Sequence, residues 1–204
     1  MTDQWPNPVD SGVLDAVVSI RSDALTAVVR AITTVGNTVS LIAIATIAVL
    51  VLLRLRHRVW AAYCAATSLL SWGVMFVTKI AFGRERPSIP PRLVEIDSLS
   101  FPSGHALNSA VVLGCIAVSA WAITGRRWPL VVAVIASALI GLSRVYLAAH
   151  WLTDVLAGWS IGAAMVALGL LATRKAVAAK GAGPVRTDRA ALRDRPGGPP
   201  AAGR

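Results

Sequence analysis

The sequence predicts an all-α integral membrane protein, a helical bundle of five transmembrane helices preceded by an amphipathic interfacial helix. Three observations carry this. The 204 residues are 55% hydrophobic and 15% charged, and mean hydropathy is +0.65, values that belong to membrane proteins rather than soluble domains. Apolar runs recur at 38–54, 59–82, 106–124, 128–149 and 150–173, each near the ~20 residues that cross a hydrocarbon core. Basic segments at 54–58, 126–127 and 174–175 follow every second crossing, all on one side.

Taken in order, Met1 to Asp10 has acids and two prolines where a cleavable signal would have a basic region, so no signal peptide is expected. Residues 13–32 carry Leu14, Val17, Val18, Leu25, Val28, Val29 and Ile32 at helical spacing, interrupted by Asp15, Arg21, Asp23 and Arg30. A bilayer core tolerates those charges poorly. The segment therefore reads as one amphipathic helix lying on the membrane or over the bundle and ending near Gly36, with a true span as the alternative. Between spans lie Arg54-Leu-Arg56-His57-Arg58 and Gly125-Arg126-Arg127, and after the last span Arg174-Lys175. All three fall on one side, which the positive-inside rule makes cytoplasmic, and Trp60, Trp121 and Trp128 mark the same boundary. Gly158 and Gly162 form a GxxxG pair suited to close packing within the bundle.

The formal charge is +10, but eight of the twenty Lys and Arg residues lie after position 173, so basicity belongs largely to a tail and nucleic acid is not an expected partner. That tail, 174–204, is Ala, Gly, Pro and Arg without periodicity and is expected to be a disordered cytoplasmic segment. The expected organisation is an N-terminal segment 1–35, a transmembrane domain 36–173 and the tail. Cys64 and Cys115 sit alone in apolar runs and read as reduced packing residues.

Three polar clusters fall on the outer side. Lys79-Ile-Ala-Phe-Gly-Arg-Glu-Arg86-Pro87 ends the second span, where Gly83 and Pro87 stop the helix. Phe101-Pro102-Ser103-Gly104-His105 precedes the third, with Ser103 at an N-cap position and Gly104 permitting close approach to free N–H groups that suit an anion. Ser143-Arg144 and His150 with Asp154 join the fourth and fifth. His150 and Asp154 are i, i+4 and share a helix face. Arg144, six positions earlier, would lie on another face of a continuous helix, so a break between it and His150 is expected.

Each cluster alone has an ordinary explanation: snorkelling cations, a capped loop, an interfacial His–carboxylate pair. Bilayer insertion does not require all three to converge on one surface. Cations, a helix amino terminus and two imidazoles suit a phosphate ester or anhydride: one histidine attacks and the other protonates the leaving oxygen. A metal among Lys79, Arg86 and Arg144 is strongly disfavoured, so neither metal nor cofactor is expected.

KxxxxxxRP at Lys79 to Pro87, PSGH at 102–105 and SRxxxxxHxxxD at Ser143 to Asp154 resemble the three-part signature of the type 2 phosphatidic acid phosphatase superfamily, over roughly residues 33–165. The resemblance implies a metal-independent phosphatase with a phosphohistidine intermediate. It makes His150 the nucleophile, Asp154 the group that orients it and His105 the general acid. It makes Lys79, Arg86, Ser103, Gly104 and Arg144 phosphate-binding. Many membrane members have six spans, so on this reading the chain lacks a first one.

The expected reaction is hydrolysis of a lipid phosphate or polyprenyl pyrophosphate at the extracytoplasmic face of the cell membrane. Undecaprenyl pyrophosphate, phosphatidic acid and phosphatidylglycerol phosphate are candidate substrates, and Arg84 and Arg92 are candidate grips for a second phosphate. Two rivals remain. A phosphotransferase would use the same site with another acceptor. A transporter or noncatalytic anion-binding scaffold would need ionisable residues along a path across the bilayer, whereas these lie near one interface.

Overall fold

The computed structural model describes residues 7–88 and 91–181. Within them are seven helices: α1 Pro8–Ser19, α2 Asp23–Val35, α3 Thr38–Arg54, α4 Arg58–Phe82, α5 Gly104–Thr124, α6 Trp128–Tyr146 and α7 Leu152–Gly181. α4, α5, α6 and α7 are each long and apolar enough to cross a membrane, and α2 and α3 together make a fifth candidate, bent by 48°. α3 alone rises only about 26 Å over its 17 residues, short of the ~30 Å core.

The single amphipathic helix expected over 13–32 is instead two. Asn7 caps α1 and Ser22 caps α2, each side chain accepting a backbone N–H of the first turn. Between them Arg21 leaves the helical path and donates to the Tyr146 carbonyl through Nε at 3.1 Å and Nη2 at 2.7 Å. Arg30 donates to the Leu93 carbonyl at 3.0 Å. Some of the charges that interrupt this segment therefore bond protein carbonyls, which amphipathic periodicity does not anticipate. At Gly36-Asn37 the chain bends again, and Asn37 caps α3.

α5 is the central helix. Of its most apolar window 56% is buried, against 17% in α4 and α7, and large apolar residues such as Leu69, Phe76, Val134 and Leu168 face outward. α7 lies against α5 through glycines: a Cβ at Gly158 would stand 2.8 Å from the Ser103 carbonyl oxygen, and one at Gly162 2.9 Å from that of Leu107. The GxxxG pair thus serves packing inside the bundle. Polar side chains within it pair with one another, as in Ser71–Asn108 and Ser109–Ser137, both 2.9 Å. Cys64 and Cys115 are free and buried.

Two boundaries differ from expectation. The fourth and fifth spans do not abut at 149–150: α6 ends at Tyr146, Ala148 takes a positive φ of 52°, and α7 starts at Leu152. At the other end α7 continues through 174–181, where a disordered tail was expected. Arg174 to Lys180 holds only residues that continue a helix, and the first breaker is Gly181. The remaining tail, 182–204, lies outside the described residues, as does the extreme amino terminus.

Candidate active site

Helix direction brings the end of α4, the start of α5, the end of α6 and the start of α7 to one end of the bundle. The α4–α5 loop folds back across them, Ser100 N donating to the Arg84 carbonyl at 2.7 Å and Leu93 N to that of Leu147 at 3.0 Å. Beneath it is a cavity of about 400 Å³ whose wall includes Lys79, Arg86, Gly104, His105, Arg144 and His150. Six of the eight residues singled out in the sequence are brought together there. Its remaining wall is polar at the α2–α3 bend (Thr33, Thr34, Asn37, Thr38) and apolar at Leu41, Met75, Val94 and Ile96, with Glu95 the one acid among the described lining residues.

His150 sits in the break between α6 and α7. The break is held by Ala149 N and His150 N, which donate to the Arg144 carbonyl at 2.9 and 3.3 Å. Arg144 and His150 therefore reach the same cavity although six residues apart. Arg86 Nη1 lies 2.9 Å from His150 Nε2. Arginine only donates, so Nε2 accepts and the ring proton falls on Nδ1. That nitrogen faces Asp154 Oδ2 and Ser100 Oγ, both at 3.5 Å. His150 is 2% exposed; burial first, then the charges of Arg86, Arg144 and Lys79, hold its pKa well below the ordinary 6.5. The imidazole is neutral at physiological pH.

Asp154 lies behind His150, off the cavity wall. Its Oδ2 accepts from Ser100 Oγ at 2.5 Å and from Trp151 N at 3.0 Å, the latter a carboxylate reaching back to its own helix start. Its Oδ1 pairs with Arg84 at 2.5 Å. Arg84 is 4% exposed and bonds Asp10 Oδ2 at 2.7 Å with its other nitrogen, which is why it is no grip for a second phosphate. Arg92 is also elsewhere, donating to Ile96 O in its own loop at 3.3 Å.

The other cations are steered from behind. Arg86 donates to the carbonyls of Ser98, Leu99 and Ala149; burial pulls its pKa down to about 10, which leaves it charged at neutral pH. Lys79 donates to Leu99 O. Arg144 Nη1 donates to Thr33 Oγ1 at 2.7 Å, while its buried Nε has no partner among the described residues. A buried unpaired guanidinium N–H beside a cavity is a donor available to an anion.

Ser103 is fully buried and not on the wall. Its hydroxyl caps α5 at Ala106 N, 3.5 Å, and its N–H donates to the Asp154 carbonyl at 3.0 Å. Asp10 and Ser100, both part of the buried network, were not singled out by the sequence: a lone acid near the amino terminus and a serine in a polar loop carry no local signal. No three His, Cys, Asp or Glu side chains gather as metal ligands among the described residues.

A model of the PAP2 superfamily matches residues 59–178, more than half of the chain. The chain belongs to the PAP2 superfamily. Phosphatidylglycerophosphatase B of Bacillus subtilis (strain 168) is 40% identical over 84 residues, 39% of this chain and 41% of that one. An undecaprenyl-diphosphatase of Sulfolobus acidocaldarius is 40% identical over 63 residues, 31% of this chain and 28% of that one. Both matches span less than half the length of these curated relatives. The crystal structure of a transmembrane PAP2-type phosphatidylglycerolphosphate phosphatase from Bacillus subtilis superposes with a TM-score of 0.77 and 29% identity, covering 81% of this chain and 85% of that one. This PAP2 protein is thus a multi-pass all-α membrane protein, and α1, α2 and α3 precede its family match.

Proposed function

We propose that this protein is a metal-independent phosphatase that hydrolyses a lipid phosphate or polyprenyl pyrophosphate through a phosphohistidine. The observation that carries the reading is His150, its Nε2 beside Arg86, on the wall of a cavity shared with Lys79, Arg86, Arg144 and His105. Asp154 holds the Nδ1–H and so leaves the Nε2 lone pair for phosphorus. Lys79, Arg86, Arg144 and the free N–H groups of Gly104 and His105 at the start of α5 hold the phosphoryl oxygens, and their charge is worth most on the transition state. Ser103 acts here through its backbone position and its cap.

A phosphate oxygen arriving in the cavity competes with Nε2 for Arg86, releasing the lone pair as it docks. Nε2–P then forms while the bond from phosphorus to the leaving oxygen breaks, and His105 gives that oxygen its proton. Water next attacks the phosphohistidine with His105 as base, Nε2–P breaks and inorganic phosphate departs. The apolar wall at Leu41, Met75, Val94 and Ile96 suits a lipid, and the names of the two curated relatives, one a phosphatidylglycerophosphatase and one an undecaprenyl-diphosphatase, favour that class.

The basic segments at 54–58 and 126–127 join helices at the end of the bundle away from the cavity, and 174–175 lie toward the same end within α7. They favour a site on the extracytoplasmic face and a cytoplasmic C-terminus, with five spans if α2 and α3 cross as one bent unit. Residues 36–173 form the phosphatase domain, behind an N-terminal segment at 1–35.

The test is phosphate release by the purified protein from a panel of lipid monophosphates and pyrophosphates, with and without a chelator. Chelator-insensitive release from at least one lipid is expected; release from none, or transfer only to an added hydroxyl acceptor, rejects hydrolysis. The pH profile follows from His150. Because its pKa in the free protein is lowered, the acid limb of kcat/KM falls below pH 6.5. Bound phosphate adds negative charge and raises that pKa, so the acid limb of kcat lies at higher pH than that of kcat/KM.

A further inference from the structure

We infer that Asp10, on the N-terminal helix, is a positioning residue for the reaction: it holds Arg84 and the start of α7 so that Asp154 keeps His150 aligned. The inference rests on the proposed roles of His150 and Asp154. Asp10 is the third residue of α1, and an acid there ordinarily turns back to the free N–H groups of its own helix. In α1 that work falls to Asn7, whose side chain accepts from Asp10 N at 2.8 Å. The Asp10 carboxylate is left to serve another helix. Oδ1 accepts from Thr153 N at 2.9 Å, and Oδ2 from Thr153 Oγ1 at 2.6 Å and Arg84 Nη2 at 2.7 Å.

Asp10 thus caps the amino terminus of α7 from 143 residues away and pins one arm of the Arg84 guanidinium. The other arm holds Asp154 Oδ1. Because the guanidinium is a rigid planar fork, fixing both arms fixes the plane of the Asp154 carboxylate, and Oδ2 is left facing Ser100 and His150 Nδ1. Asp10 is 1% exposed and not on the cavity wall. It lies before residue 59, where the family match begins, so α1 adds to the site a support from outside the matched segment. Losing it should loosen the orientation of His150 without weakening substrate binding.

The experiment is steady-state hydrolysis by the purified full-length protein, using the lipid phosphate it cleaves fastest, for Asp10→Asn, Asp154→Asn and the double variant. Asp10→Asn keeps the shape and an acceptor for Thr153 N but loses the charge held by Arg84. It is expected to lower kcat by about 10-fold or more with KM within about twofold, and to cause no further loss when added to Asp154→Asn. Wild-type kcat in Asp10→Asn, or losses that multiply in the double variant, overturns the inference. If Asp10→Asn does not fold, Thr153→Val, which removes only the hydroxyl contact to Asp10 and Arg84, is expected to lower kcat in the same sense, and wild-type kcat there overturns it. Wild-type rates in Asp154→Asn would instead remove the underlying reading of the site.

Discussion

His150→Ala is expected to lower phosphate release by about a thousandfold or more, since a covalent mechanism loses its first step along with the nucleophile. The variant should still fold. The His150 ring meets Arg86, Asp154 and the side chain and backbone of Ser100, while the Asp10–Arg84–Asp154 network does not depend on it. The three cations also remain, so the variant should retain affinity for a lipid phosphate, measured by direct binding. Removing the imidazole also removes the partner of Arg86 at Nε2, which leaves that guanidinium wholly available to phosphate. Rate and binding should therefore separate. A variant that hydrolyses as fast as the wild type would end the account of covalent catalysis.

The second large effect is on stability. Arg84→Met is expected to destabilise the protein by about 3–5 kcal/mol, the usual consequence of removing one partner from a buried ion pair, read as a lowered midpoint of thermal unfolding in detergent. The side chains of Asp10 and Asp154 are both 0% exposed, so removal of the cation between them leaves two carboxylates to repel one another or take up protons. Arg84→Lys should recover only part of the loss, because an ammonium supplies the charge but not the fork that spans both acids. Activity should fall with stability in Arg84→Met, since Asp154 loses one of the groups that orient it. Unchanged unfolding would mean that solvent or other groups already neutralise this pair.

How much of this was legible in the sequence depended on whether the signal was local. Long apolar runs announced α4 to α7 because crossing a bilayer demands about 20 apolar residues in succession. Lys79, Arg86, His105, Arg144 and His150 stood out because charge and imidazole are costly at membrane boundaries and here recurred on one side. The break between Arg144 and His150 followed from helical geometry alone.

What was not legible depended on partners distant in the chain. Arg21 and Arg30 looked like the polar face of one amphipathic helix, but they bond carbonyls of Tyr146 and Leu93, and the segment splits into two helices. Arg84 read as one more cation for a phosphate, yet its place was decided by Asp10, 74 residues before it. Ser100 is one of several serines between 98 and 103, and only the fold distinguishes the one that meets Asp154.

The central claim, a phosphoryl group carried on His150, is tested most directly by rapid quench of the enzyme during turnover of a lipid labelled with radioactive phosphorus, followed by peptide mapping. The account predicts an acid-labile, base-stable label on the peptide that contains His150, absent in His150→Ala. Turnover with no labelled protein, or a label that maps to His105, would contradict it.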